Sequence, residues 1–239
     1  MQNIKSNLQI KLFADGANLQ GMIEMASKPH IAGLTTNPTL MNKAGVLDYV
    51  KFAHQVIKEV PNKPISFEVF SDNLEEMRIQ SEKIASWGDN VYVKIPITNT
   101  QGISTAPLIK HLADLGIKVN VTAIMTAKQV ETIAEVLNPS ICSYVSVFAG
   151  RIADTGRDPI PVVKECLKLL SHNSNSELIW ASPRELLNVI QADQAGCHII
   201  TATSDILAKI DLIDYDLDLY SLDTVKMFYN DAQKAGYSI

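Results

Sequence analysis

The chain has 239 residues, of which 46% are hydrophobic and 20% charged, enough apolar material for a large core. Its formal net charge of -5 excludes a general binder of nucleic acid or anionic membranes, because both need a broad cationic surface. The three cysteines, Cys142, Cys166 and Cys197, fit no metal-ligand spacing and read as thiols in a reducing compartment, so a cytoplasmic location is expected.

The start, Met1 to Ile10, lacks the apolar core and cleavage site of a leader, and no run is long enough to cross a bilayer. From there, short β-branched runs alternate with segments of helical period, the pattern of βα units in a parallel sheet. The first run, Ile10 to Asp15, ends in a carboxylate whose residue type alone reads first as an N-cap or turn residue before a helix over Ala17 to Met25. The second, Ile31 to Thr35, leads into Thr35-Thr36-Asn37-Pro38, a turn and helix start, since the residue before proline avoids the helical region. The third, Ile65 to Phe70, carries Glu68 and is followed by a helix over Asn73 to Trp87 with Gly88 as its C-cap. Val91 to Ile95 carries Lys94, and a helix over Gln101 to Leu115, closed by Gly116, leads to Lys118 to Thr122 with Asn120 and Thr122 at its end.

A helix over Ala127 to Leu137 precedes Ser143 to Val147, where Ser146 and Phe148 share a face. A helix over Pro159 to Ser171 precedes Leu178 to Ser182, and one over Pro183 to Ala195 precedes the eighth run, His198 to Thr201, each proline suiting a first helical turn. Past the acidic stretch Asp211 to Asp218, Ser221 to Gly236 reads as an extra helix. Its Leu222, Val225, Met227, Phe228 and Tyr229 either seal the barrel or meet a neighbouring subunit, which suggests self-association into a homo-oligomer. Eight βα repeats in roughly 250 residues are the arithmetic of a (β/α)8 TIM barrel. With no linker or low-complexity stretch to divide it, residues 1–239 are expected to form one domain with that additional C-terminal helix.

A barrel of this kind places its chemistry at the C-terminal ends of the strands. Lys94 is the most informative residue there, because an ammonium inside Val91-Tyr92-Val93-Lys94-Ile95-Pro96 is expensive unless chemistry needs it. Burial favours the neutral amine, a nucleophile for carbonyl carbon; the alternative is a lysine at a frayed strand end with its head in water. Asp15, Glu68, Asn120, Thr122 and Ser146 each have an ordinary explanation as cap, turn or solvated charge, but all fall at one rim with Lys94. Arg151 and Arg184 lie just beyond neighbouring strands, where two planar forks can clamp a phosphate, helped by Ser182 and helix-start amides near Pro183. The competing explanation is ion pairing, Arg151 with Asp154 or Arg184 with groups near Glu185. The five histidines share no ligand spacing and no dinucleotide or P-loop motif occurs, so neither a metal nor a nucleotide cofactor is expected.

Taken together, Phe13-Ala14-Asp15, Gly33-Leu34-Thr35-Thr36-Asn37-Pro38, Val93-Lys94-Ile95-Pro96, Asn120-Val121-Thr122, Ser146-Val147-Phe148-Ala149-Gly150-Arg151-Ile152 and Ala181-Ser182-Pro183-Arg184 resemble the transaldolase family, including its short fructose-6-phosphate-aldolase-like branch. The resemblance implies a (β/α)8 barrel with no cofactor that acts on sugar phosphates through a Schiff base on Lys94. It further implies Asp15 as acid/base at the C4 hydroxyl, and Glu68 and Thr122 holding a proton-shuttling water. Asn37, Asn120 and Ser146 would orient the three-carbon donor, and Arg151, Ser182 and Arg184 would hold the phosphate. Relatives that release free dihydroxyacetone tend to carry glutamine and tyrosine where this chain has Glu68 and Phe148. The resemblance therefore favours transfer of a dihydroxyacetone unit between sugar phosphates, a reaction of the pentose phosphate pathway. A simple fructose-6-phosphate aldolase and a non-catalytic sugar-phosphate-binding barrel are the alternatives. Val147 stands where relatives usually have proline, and the segment around Ser182 is shorter, which leaves the loops at the phosphate end open.

Overall fold

A computed structural model describes residues 8–239, so of the expected leaderless start, Met1 to Ile10, residues 1–7 lie outside the described residues. The eight runs form β1 (Lys11–Asp15), β2 (Ile31–Thr35), β3 (Ile65–Glu68), β4 (Val91–Pro96), β5 (Val119–Ile124), β6 (Ser143–Val147), β7 (Ser176–Trp180) and β8 (Ile199–Thr203). All pair in parallel, in chain order, and β8 returns to β1 to close the ring. The fold is a (β/α)8 barrel with a helix, Leu217–Ala235, added at the C-terminus.

Strand periodicity explains why these runs are apolar yet carry chemistry. Side chains alternate between the two faces of a strand, and both faces of a barrel strand are covered. The outward set includes Leu12, Phe67, Val93, Val121, Val145, Trp180 and Ile200, all in the core between sheet and helices. The inward set forms a second, smaller cluster inside the ring, with Phe13, Tyr92, Tyr144, Ile179 and Ile199. Within it the Tyr92 and Tyr144 rings stack at 4.1 Å, and Phe13 meets Tyr144 edge-on at 5.6 Å. Space for Phe13 exists because residue 33 is glycine. A Cβ there would lie 2.5 Å from the Phe13 ring.

Two residues further along each of several strands, the inward positions become Asp15, Lys94, Ser146 and Thr201. The aromatic cluster is therefore a floor, and the polar set sits directly on it.

Several expected boundaries move, each for a local reason. The helix expected over Gln101 to Leu115 begins at Ala106. Residues 99–104 instead form a turn in which Asn99 Oδ1 accepts from the amides of Gln101 and Ile103, and Asp72 from that of Thr100. The helix expected from Pro183 begins at Leu187, because Asn188 Oδ1 takes the amides of Arg184 and Glu185 and holds that segment as a loop. β7 accordingly runs over Ser176–Trp180 and stops short of Ser182. Gly116 has the left-handed φ of 75° expected of a C-cap, whereas Gly88 does not adopt that conformation and lies beyond the cap at Ser86. The C-terminal helix starts earlier than expected, at Leu217, and none of its residues is buried. It does not seal the barrel.

Candidate active site

Lys94 stands inside the mouth of the ring with only 6% of its surface exposed. Its Nζ is 3.0 Å from Glu68 Oε2 and donates to the Thr36 carbonyl at 3.1 Å. The register explains the first contact, since Glu68 and Lys94 are Cα partners across β3 and β4. Glu68 is thus the counter-charge of a buried amine and the nearest group able to take its proton. The frayed-end reading of Lys94 and the solvated-charge reading of Glu68 both fail against these contacts.

Asp15 ends β1 and is paired in register with Thr35 of β2, whose Oγ1 donates to Asp15 Oδ1 at 2.8 Å. It does not cap the following helix. That helix spans Leu19–Ser27 and is capped by Asn18, which accepts from the Gly21 amide. Burial pushes the Asp15 carboxyl above its ordinary value, with the nearby Lys94 charge and the Thr35 hydrogen bond opposing the shift and Glu68 adding to it. A carboxyl so placed is a proton donor and acceptor more than a permanent anion.

Asp15, Glu68, Lys94, Thr122, Ser146, Phe148, Arg151, Ser182, Arg184 and Asn37 all line one cavity of about 470 Å³ at the C-terminal ends of the strands. Asn37 is also the N-cap of the helix Pro38–Lys43, its Oδ1 accepting from the Leu40 amide, so its amide nitrogen is the atom left for a ligand. Asn120 is the exception among the expected residues. It is fully buried and lies outside the cavity lining, because Ser66 Oγ accepts from its Nδ2 at 2.9 Å while Ser146 donates to its Oδ1 at 2.7 Å. Its contact with the cavity runs through the Ser146 hydroxyl. Thr122 is likewise almost wholly buried, and its Oγ1 has no protein partner.

The far wall is cationic. Arg184 is held on Asp154 through Nε at 2.9 Å and through a second, short Nη2 contact, and its Nη1 donates to Ser182 Oγ at 3.1 Å. The ion-pair alternative is therefore present, with the partners exchanged. Asp154 belongs to Arg184, while the Arg151 guanidinium lies 5.6 Å from the centre of the Phe148 ring. The expected helix-start amides near Pro183 are absent, since that helix starts four residues later. In their place the backbone at Ser182 is left-handed, with φ 60°, and so is that of Ala123 at φ 62°, next to Thr122. Gly150, in the helix Ala149–Asp154, is what lets that helix approach the Ser182 backbone. A Cβ there would fall 1.6 Å from the Ser182 carbonyl oxygen.

Sequence reasoning did not assign the cavity-lining Thr201, Thr35 and Lys43 to the site, nor did it find Ser66 behind Asn120. Thr35 was visible in its motif. Thr201 and Ser66 carry no local signal, because each acquires its partner only when distant strands close. Among the described residues no cluster of three or more His, Cys, Asp or Glu side chains could hold a metal ion.

A sequence model of the family described as Transaldolase/Fructose-6-phosphate aldolase matches residues 12–239. The chain is 32% identical over 231 residues to a probable transaldolase of Thermoanaerobacter sp. (strain X514), covering 96% of this chain and all of that one. It is 33% identical over 205 residues to a probable transaldolase of Bacillus anthracis, covering 84% and 89% of the two chains. Among solved structures, dihydrodipicolinate synthase from Rhodopseudomonas palustris superposes with a TM-score of 0.61 at 11% identity, over 92% of this chain and 78% of that one. That likeness speaks to the fold alone.

Proposed function

The chain belongs to the transaldolase/fructose-6-phosphate aldolase family, and we propose that it is a transaldolase that carries a dihydroxyacetone unit between sugar phosphates as a Schiff base on Lys94. The observation that supports this most is the buried Lys94 amine, 3.0 Å from a carboxylate and on one cavity wall with Asp15. A lysine that attacks a ketone must first lose a proton, and Glu68 is placed to receive it.

The Lys94 nitrogen adds to the C2 carbonyl of a ketose phosphate such as fructose 6-phosphate or sedoheptulose 7-phosphate. Loss of water gives an iminium, with a water held between Glu68 and Thr122 carrying the protons; the free Thr122 Oγ1 suits that task. Asp15 takes the proton of the C4 hydroxyl, the C3–C4 bond breaks, and its electrons reside in an enamine on Lys94 while an aldose phosphate leaves. An acceptor aldehyde, erythrose 4-phosphate or glyceraldehyde 3-phosphate, then meets the enamine carbon, Asp15 returns the proton to the new alkoxide, and water adds to the resulting iminium to release the product ketose and the free Lys94 amine. Arg151, Arg184 and Ser182 hold the phosphate of leaving and entering aldose alike, so binding energy remote from the reacting carbon fixes its distance to Lys94. Asn37 and Ser146, the latter steadied by Asn120, orient the donor hydroxyls.

Glu68 and Phe148 favour transfer over simple cleavage. Phe148 offers no hydroxyl to deliver water to the enamine, which then waits for an aldehyde. The same reading takes the whole chain as one domain acting in the cytoplasm and assembling with copies of itself through the exposed C-terminal helix, where Val225 and Phe228 are open to solvent.

Borohydride reduction in the presence of fructose 6-phosphate tests the central step. The expected result is a permanent three-carbon mass addition on the peptide that contains Lys94. Addition at another lysine, or none, removes the proposal. Release of glyceraldehyde 3-phosphate at the same rate with and without an acceptor aldehyde would instead favour the simple aldolase.

A further inference from the structure

Three hydroxyl and carboxyl groups beside Lys94 form a chain with more order than packing requires. Thr35 Oγ1 lies 2.8 Å from Asp15 Oδ1 and 2.5 Å from Thr201 Oγ1, and both threonines are buried. The three residues come from adjacent strands, β8, β1 and β2, with Asp15 opposite Thr35 and Phe13 opposite Thr201 in register. Thr201, two residues beyond Ile199 of the aromatic floor, thus reaches past β1 to the Thr35 hydroxyl.

A threonine hydroxyl has one proton to give. When Asp15 is ionised it can only accept, so the Thr35 proton points at Asp15 and the contact with Thr201 must be supplied by the Thr201 proton. When Asp15 is protonated the chain can reverse, with Asp15 donating to Thr35 and Thr35 to Thr201. We infer that Thr201 is a positioning residue for the acid/base step: its hydroxyl, relayed by Thr35, holds the ionised Asp15 carboxylate in place and stabilises its charge. The inference rests on Asp15 being the acid/base of the proposed reaction, and it goes beyond that reading by assigning a task to a residue that touches no reacting atom.

The surroundings leave this task to Thr201. The charged groups facing Asp15 are Lys94 from β4 and Glu68 from β3. Its own neighbours in the sheet, β2 and β8, contain no charged residue, so the hydroxyls are what they present. Lys43, Arg151 and Arg184 reach the same cavity from loops and helices above. Burial raises the Asp15 carboxyl, and donation from Thr35 is one of two influences that lower it. A hydrogen bond polarised by a second one behind it is the stronger donor.

The test compares wild type with Thr201→Val, which keeps the shape and removes the hydroxyl, and Thr201→Ser, which keeps the hydroxyl. Each is followed in two ways: the 13C titration of the Asp15 carboxyl in ligand-free protein, and the acid limb of kcat/KM for fructose 6-phosphate cleavage. With Thr201→Val the carboxyl titration and the acid limb both move to higher pH, by about half a unit or more, since a lost hydrogen bond is worth that much. Thr201→Ser restores the wild-type position. Titrations that coincide in wild type and Thr201→Val overturn the inference, as does a Thr201→Ser variant that behaves like Thr201→Val, because the methyl group would then matter and the hydroxyl would not. Should Thr201→Val fail to fold, Thr201→Ala replaces it with the same expected shift. Failure of the transaldolase reading is seen separately, as absent borohydride trapping on Lys94 in the wild type, and leaves the 13C comparison able to decide.

Discussion

The floor and the mouth of the barrel are built from the same strands, two residues apart, and they do opposite work. Phe13, Tyr92 and Tyr144 fill the ring and pack on one another, while Asp15, Lys94 and Ser146, the next inward positions of the same strands, carry polar groups. A single step of the strand period changes stabilisation into chemistry. The floor groups bury apolar surface at little polar cost, whereas the mouth gathers a buried ion pair and a carboxyl pushed up by burial. Such a site costs stability, and the aromatic layer beneath helps offset it.

Substitutions in the two layers should therefore separate into those that lose activity and those that lose stability. The largest effect is expected from Lys94→Met, which should fold, show no borohydride trapping and reduce transfer to background in a coupled assay; normal trapping would relocate the nucleophile. Asp15→Asn should lower kcat by about 10²–10⁴-fold while still trapping at Lys94, since imine formation does not need Asp15. In the floor, Phe13→Ala should cost about 3–5 kcal/mol in urea denaturation, from lost burial and the cavity it leaves. A drop confined to activity would erase the distinction between the layers. Arg184→Ala should lower kcat/KM for phosphorylated acceptors roughly 30-fold, about 2 kcal/mol for a charge-assisted hydrogen bond, yet leave unphosphorylated glyceraldehyde unaffected as acceptor.

The smallest effect sharpens the contrast by its sign. Asp15 has a folded-state pKa raised above 3.8, so its contribution to stability is full below that value and is lost as the pH rises through the folded one. Asp15→Asn removes that loss. The variant should melt higher than wild type at pH 8 and no higher at pH 3.5, a dead enzyme that is the more stable protein. Equal melting temperatures at both pH values would contradict the raised Asp15.

The eight strands, their order and most of the mouth were legible because alternation and β-branching are local properties. Lys94 declared itself by standing in an apolar run, and Asn37-Pro38 by the geometry proline imposes. What stayed hidden depends on closure of the ring. Thr201 does not differ from an ordinary strand threonine until β8 meets β1 and its hydroxyl reaches Thr35, 166 positions away. Asn120 looked like a group presented to the cavity, but Ser66 and Ser146 claim its amide from either side. The segment Ser182-Pro183-Arg184 imitated a helix start, and only the Asn188 side chain, which binds the amides of Arg184 and Glu185, reveals it as a loop.

Ala123 and Ser182, the two cavity residues with left-handed backbone, carry a practical warning. Each loses about 1–3 kcal/mol to a conformation that glycine adopts freely. Glycine at either position should therefore raise heat resistance, and a screening campaign ranked by melting temperature would select both. The same exchange slackens the segments that set Thr122 and Arg184, so the winners of that campaign would be hardier proteins and poorer judges of their sugar.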